Sequence, residues 1–174
     1  TTSRLQSVTD EKNQTKAYDY LPDDNLARIR YVNPERPTPD VTFTYDGAYN
    51  RIRTMTDGIG VTLYRYHPAR TNGGRLAAVE GPLPNSRVTY DFDALGRLSQ
   101  RFVDGAGERW LFDAMGRLTE ASNLLGNFRY TYEGNSYRPA TIVNPNGQQT
   151  QYSYHDNSGD RRLRQIRHTL SGNQ

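Results

Sequence analysis

Phe92-Asp93-Ala94-Leu95-Gly96-Arg97-Leu98 returns twenty residues later as Phe112-Asp113-Ala114-Met115-Gly116-Arg117-Leu118. This self-similarity decides the fold before any single motif is weighed, because repeat units bury surface only by stacking on their neighbours. With Leu98 as reference, the equivalent position holds Leu5, Leu26, Ile52, Leu76, Leu118, Pro139 and Leu163, at spacings of 20 to 26 residues. Three positions further on stand Val8, Ile29, Met55, Val79, Arg101, Ala121, Ile142 and Ile166, with Arg101 the exception in an apolar column.

After a turn, each unit carries two aromatics separated by one residue. The pairs are Tyr18/Tyr20, Phe43/Tyr45, Tyr64/Tyr66, Tyr90/Phe92, Trp110/Phe112, Tyr130/Tyr132 and Tyr152/Tyr154. Positions i and i+2 share one face of a strand but lie about 200° apart on a helix. The residues between them, Asp19, Thr44, Arg65, Asp91, Thr131 and Ser153, are polar. The spacing therefore predicts half-buried antiparallel strands with one wet face.

Turn chemistry agrees with that reading. In Asp93…Gly96 and Asp113…Gly116, the Asp accepts backbone N–H bonds at the start of a type I turn and the Gly takes the left-handed position. A second turn sits inside each unit, as in Asp57-Gly58-Ile59-Gly60, Asp104-Gly105-Ala106-Gly107, Asn123-Leu124-Leu125-Gly126 and Asn144-Pro145-Asn146-Gly147, with Asp10…Asn13 a weaker version. Two strands and two turns per unit describe an up-and-down meander. Two copies are swollen, by Asn33-Pro34-Glu35-Arg36-Pro37-Thr38-Pro39 and by the Ala69-to-Gly74 loop. Their prolines and irregularity place them off the ladder.

The expected architecture is all-β: one array of about eight repeats over residues 1–174, the first and last incomplete, with no separate domain. Fourteen to sixteen strands in succession are expected to twist into a curved, coiling sheet. One ambiguity is left open by the pattern. Leu98 and the position three after it have opposite parity on an ideal strand, so both faces carry apolar groups unless a bulge intervenes.

Composition narrows the classes. Only 34% of the 174 residues are apolar, and 13 Tyr with 5 Phe recur at fixed places beside a net charge of +3, which favours an aromatic-striped sheet over disorder. No cysteine is present, so there is no disulfide scaffold. No run of eighteen apolar residues occurs, so no membrane-spanning helix is expected. The start Thr1-Thr2-Ser3-Arg4 lacks the pattern of a secretory signal. Both ends fall inside copies of the repeat, and the chain is expected to be an excised piece of a longer one.

The Asp-x-x-Gly-Arg-Leu core, with an aromatic pair ahead of it, strongly resembles the RHS repeat, also called the YD repeat. The resemblance is tight from Asp93 to Leu118 and looser over the remainder. It implies kinship with bacterial polymorphic toxins, the C component of insecticidal Tc toxin complexes, wall-associated toxins and animal teneurins. It implies a hollow β-shell around a variable C-terminal toxin, which is kept enclosed until delivery, and a secreted or cell-surface parent protein. The sequence departs from that family in having no Asp-Pro dipeptide, so the Asp-Pro-x-Gly self-cleaving segment of many bacterial members is absent. Only Arg164 to Gln174 follow Leu163, and about eight repeats are too few to enclose a cargo. The chain is expected to be a section of wall.

No site chemistry competes with this. Asp93 and Asp113 could be paired as general acid and base, but identical turn positions do not push two pKa values apart as that chemistry requires. His67, His155 and His168 lack metal-ligand spacing, and His67 and His155 occupy the slot in which Asp46, Asp93 and Asp113 stand. Ser86 and Ser122 lack a nucleophile elbow, and Gly73-Gly74 opens no phosphate loop. No catalytic, cofactor or metal residues are assigned, and the expected activity is non-enzymatic. The basic run Arg161 to His168 is read as the exposed side of a last strand and not as a nucleic-acid site. The aromatic stripes also suit sugar faces, which keeps a cell-surface carbohydrate-binding or adhesion module as the alternative. Free edge strands are expected to cause self-association.

Overall fold

The computed structural model describes residues 3–170, so Thr1 and Thr2 lie outside the described residues. The chain is all-β. Among the described residues fifteen strands alternate in direction, and their hydrogen-bonded order is their order along the sequence. Contacts cluster into two units, Thr1–Thr89 and Tyr90–Gln174, divided inside a strand and not at a linker.

The first unit holds β1 (Ser7–Thr9), β2 (Thr15–Tyr20), β3 (Leu26–Val32), β4 (Val41–Tyr45), β5 (Ile52–Thr56), β6 (Val61–Tyr66), β7 (Leu76–Glu80) and the start of β8 (Arg87–Phe92). The second holds the end of β8, then β9 (Leu98–Val103), β10 (Ala106–Phe112), β11 (Leu118–Asn123), β12 (Gly126–Tyr132), β13 (Pro139–Val143), β14 (Gln149–Tyr154) and β15 (Leu163–Thr169). Two 3-10 turns, Asn72–Gly74 and Asn157–Gly159, lie in the longer connections.

The parity question is settled by a bulge in six of the repeats. The register shifts just before the second aromatic, between Asp19 and Tyr20, Thr44 and Tyr45, Arg65 and Tyr66, Leu111 and Phe112, Thr131 and Tyr132, and Ser153 and Tyr154. On the facing strand one residue after the Leu-type position is left unpaired: Ala27, Arg53, Ala77, Thr119, Ala140 or Arg164. An extra residue on one strand restores the phase of the side chains beyond it. Leu26 and Ile29 consequently share a face, opposite Tyr20 and Tyr18 respectively.

One face of each unit thus carries aromatic and aliphatic columns, and the other carries polar pairs. On the polar face Arg30 reaches Asp19, Arg65 and Arg87 reach Glu80, and Thr44 bonds Thr54. Neither face has a deep core. Among the described residues only Ala78, at 3%, and Thr150, at 7%, count as buried. Rings are covered by their neighbours along the sheet and not by a second layer.

Candidate functional site: the repeat corner

The recurring corner between repeats is a polar assembly built from a carboxylate, backbone N–H groups and a guanidinium. At Asp113, one carboxylate oxygen accepts the N–H groups of Met115 and Arg117, each at 2.9 Å. The other accepts Nε of Arg117 at 2.7 Å. Asp93 does the same with Leu95 and Arg97 at 2.9 Å and Arg97 Nε at 2.6 Å. Gly96 and Gly116 have φ of 77° and 81°, a left-handed conformation that glycine adopts without a Cβ clash. The turn thus needs both its first and its fourth residue as they are.

The backbone of the corner is the same even where the acid is not. The N–H of the slot residue donates to the carbonyl just before the Leu-type position in Leu21 to Asn25, Asp46 to Arg51, His67 to Arg75, Asp93 to Arg97, Asp113 to Arg117, Glu133 to Arg138 and His155 to Arg162, at 2.8 to 2.9 Å. His67 and His155 therefore close turns. His168 instead lies on β15, where Nδ1 stands 3.0 Å from Thr150 Oγ1.

In four corners an arginine reaches onto the second aromatic of the next. The guanidinium of Arg97 lies 4.4 Å from the Phe112 ring centroid, Arg117 4.7 Å from Tyr132, Arg51 4.1 Å from Tyr66 and Arg138 5.6 Å from Tyr154. A cation over an aromatic face is attracted to the negative ring quadrupole. The tip of Arg117 also donates to the carbonyls of Gly134 and Ser136 in the following corner, and that of Arg51 to Gly74. The corresponding nitrogen of Arg97 is buried without a hydrogen-bond partner, facing the tight Gly116 turn.

The second aromatic closes the circuit. Its hydroxyl donates to the carbonyl of the Leu-type residue of its own repeat: Tyr20 to Leu5, Tyr45 to Leu26, Tyr66 to Ile52, Tyr132 to Leu118 and Tyr154 to Pro139, at 2.8 to 2.9 Å. Phe92 and Phe112 have no hydroxyl to make this bond. The first aromatics pair with the residue three beyond the Leu position: Tyr18 with Ile29, Tyr64 with Val79, Trp110 with Ala121, Tyr130 with Ile142 and Tyr152 with Ile166. Tyr90 and Phe92 end β8 directly before the Asp93 corner, and Leu98 begins β9 directly after it.

Electrostatics follow the geometry. The Asp113 carboxyl is held below its ordinary range by the Arg117 N–H, against partial desolvation, with the Arg117 guanidinium reinforcing it. For Asp93, desolvation is outweighed by the Arg97 N–H and guanidinium and by the Leu95 N–H. Each carboxylate accepts three hydrogen bonds, two from backbone N–H groups and one from a guanidinium. The phenols of Tyr66 and Tyr132 are pushed up chiefly by desolvation.

The structure adds contacts to residues that the repeat pattern only places in register. Arg101, the charged intruder on the aromatic face, stands directly across from Glu108 and binds it through Nε at 2.7 Å. Opposite charges at i and i+7 bracketing Asp104-Gly105 were the available signal. Glu133 replaces the corner Asp in a longer turn, binding Arg138 Nε at 2.6 Å and Arg161 at 3.1 Å. In the basic tail, Leu163 and Ile166 pair with Tyr154 and Tyr152, and Arg162 sits in a corner. Among the described residues no group of three or more His, Asp or Glu is placed to hold a metal, and no helix is long and apolar enough to cross a membrane.

Fold and corner together define an antiparallel β-repeat array. Solved structures share that fold. The chain superposes on the crystal structure of TcdB2-TccC3 without hypervariable C-terminal region with a TM-score of 0.67 and 16% identity, covering 91% of this chain and 10% of the other. The TcdB2-TccC3-Cdc42 crystal structure gives 0.67 and 16%, covering 93% and 9%. The Photorhabdus luminescens Tc holotoxin pore carrying the TccC3-D651A mutation gives 0.58 and 18%, covering 97% and 8%. The chain thus spans about a tenth of the length of these structures. No protein-family model matches it, and no curated protein matches it in sequence.

Proposed function

We propose that this chain is a stretch of RHS/YD-repeat wall in a hollow β-shell that encloses a C-terminal toxin domain and aids its delivery. The carrying observation is the repeated corner, in which Asp, Arg and the second aromatic lock successive turns, on a fold shared with TcdB2-TccC3 chains over nine-tenths of its length. The role is mechanical and not enzymatic. Asp93 and Asp113, the acids that recur in the corner, have their oxygens engaged in turn formation. In this reading the parent protein is secreted or displayed at the cell surface, and the remaining repeats of the shell are the principal partner.

Confinement suits such a wall, since a closed sheet offers no free edges and its contents are shielded from proteases. The test is electron microscopy and limited proteolysis of the parent protein. A closed shell with a protease-resistant C-terminal domain is expected; an open sheet whose C-terminal domain is digested as fast as the free domain refutes the proposal. For the isolated 174-residue chain, β1 and β15 each have one strand neighbour and β15 is exposed along its whole length. Edge pairing then predicts concentration-dependent self-association. A constant monomeric sedimentation coefficient at all concentrations contradicts it.

A further inference from the structure

One repeat in the first unit departs from the others in a way the wall does not require. Five residues after the Leu-type position four repeats begin a tight turn, at Asp10, Asp57, Asn123 and Asn144, and a fifth opens the six-residue loop from Gly81 to Ser86. The second repeat places Tyr31 there, prolongs β3 to Val32 and then inserts the proline-rich excursion ending at Asp40. Tyr31 stands directly across from Lys16, and Tyr18 lies two residues further along the same face of β2. The two rings are diagonal neighbours, a separation that aromatic side chains span.

The excursion is fastened as a wall beside these rings. Glu35 N–H donates to Gln14 Oε1 at 3.2 Å, and Lys12 Nζ reaches the Glu35 carboxylate at 3.1 Å. At its far end Asp40 accepts Arg28 Nε at 2.9 Å and the Tyr31 N–H at 3.4 Å. Between the wall and the sheet lies an open cavity of about 430 Å³ lined by Tyr18, Tyr31, Lys16, Gln14, Asp10 and Pro34.

Four polar groups of this cavity are uncommitted: the two phenols, the Lys16 ammonium and one Asp10 oxygen. Among the described residues, the hydroxyls of Tyr18 and Tyr31 make no hydrogen bond, unlike the hydroxyls of Tyr20 and Tyr45 in the neighbouring corners. The Lys16 ammonium has only the Tyr31 ring, 6.0 Å from its centroid. Asp10 uses one oxygen, on Lys12 N–H and Gln14 N–H, and leaves the other available.

From these features we infer that this cavity is a saccharide-binding site, taking a pyranose ring against Tyr18 and Tyr31. Aromatic faces take up the C–H face of a sugar, while ring hydroxyls need donors and acceptors at the rim. The phenols, Lys16 and the free oxygen of Asp10 supply both kinds. The volume falls within the range of small-ligand pockets, roughly 300–1,000 Å³. A purely apolar ligand would strand these polar groups. The wall of a shell needs neither Tyr31 nor the excursion, so this site stands or falls separately from the proposed shell.

The test is an NMR titration of the 174-residue chain with lactose, with N,N′-diacetylchitobiose and with a digalacturonate. A proline-rich peptide, which also seeks aromatic grooves, serves as the competing ligand. Saturable shifts confined to Tyr18, Tyr31 and Gln14 are expected with at least one sugar. Tyr31→Ala is expected to weaken that binding by about tenfold or more, as loss of a ring anchor does. Lys16→Met and Tyr31→Phe test the polar rim in variants that keep the aromatic packing, and Tyr130→Ala, at the same repeat position as Tyr18 but beside the tight Asn144–Gly147 turn, is expected to change nothing. Absence of saturable shifts with all three sugars overturns the inference, as does saturation by the peptide alone. Sugar binding that survives Tyr31→Phe, Lys16→Met and Tyr31→Ala unchanged overturns it equally.

Discussion

The tight corners at Asp93 and Asp113 and the excursion from Asn33 to Asp40 solve the same problem, reversal of the chain between two strands, by opposite means. In the corners four residues suffice, because a single carboxylate collects two N–H groups and a guanidinium while a left-handed glycine completes the turn. In the excursion no single residue organises the turn. Its ends are tied to the sheet through Gln14, Lys12 and Arg28 on other elements. A locally encoded turn leaves the sheet edge closed and uniform. A turn held from outside makes a concavity beside the sheet, and there the uncommitted polar groups gather.

Acidification should break the corners first and with the greatest effect. Carboxyls of Asp46, Asp93, Asp113 and Glu133 are all depressed. Depressed folded-state values mean that their contribution is complete above the unfolded-state pKa, about 4, and is lost as pH falls through the folded values. Urea midpoints should therefore be flat from neutrality down to about pH 5 and drop steeply below pH 4. Asp113→Ala should lower the midpoint at neutral pH and make the acid limb shallower. Asp40→Ala, at the end of the excursion, should move it less, because Arg28 there is about half exposed and exposed pairs are screened. Equal losses for the two variants would erase the distinction between the turns.

The tyrosine tie gives an intermediate effect. Tyr132→Phe removes the hydrogen bond to the Leu118 carbonyl and should cost about 1 kcal/mol in urea unfolding. Phe112→Tyr offers the same bond in a corner that lacks it and should recover up to about 1 kcal/mol. If Phe112→Tyr is destabilising, Phe112 is filling space that a hydroxyl cannot enter, and the repeats are less equivalent than their backbones suggest.

The smallest effect on stability is expected from shortening the excursion. Replacing residues 33–39 by an Asp-Gly turn removes a loop whose closure entropy varies only slowly with length, so stability should change by less than about 1 kcal/mol. Saccharide binding should disappear in the same variant. A large loss of stability would mean that the excursion supports the sheet.

Much of this was legible in the chain. Strands, turns and the aromatic face follow from alternation and from Asp-x-x-Gly, because strand periodicity and turn dihedrals are local properties of a few consecutive residues. His67 and His155 could be placed in turns for the same reason. The two-unit clustering of contacts had no such local signal, since the repeat continues through β8 without a change of pattern.

What the sequence by itself determined is therefore the meander, its repeat length and which residues turn it. Tertiary structure alone decided the bulge that brings Leu26 and Ile29 to one face, the stacking of Arg117 on Tyr132, the Arg101–Glu108 pair and the enclosure of Tyr31 beside Tyr18. The physical reason is range. A turn is encoded within a few residues, whereas a bulge depends on how two strands come into register, and a guanidinium finds its ring only after fifteen residues have folded back beside it.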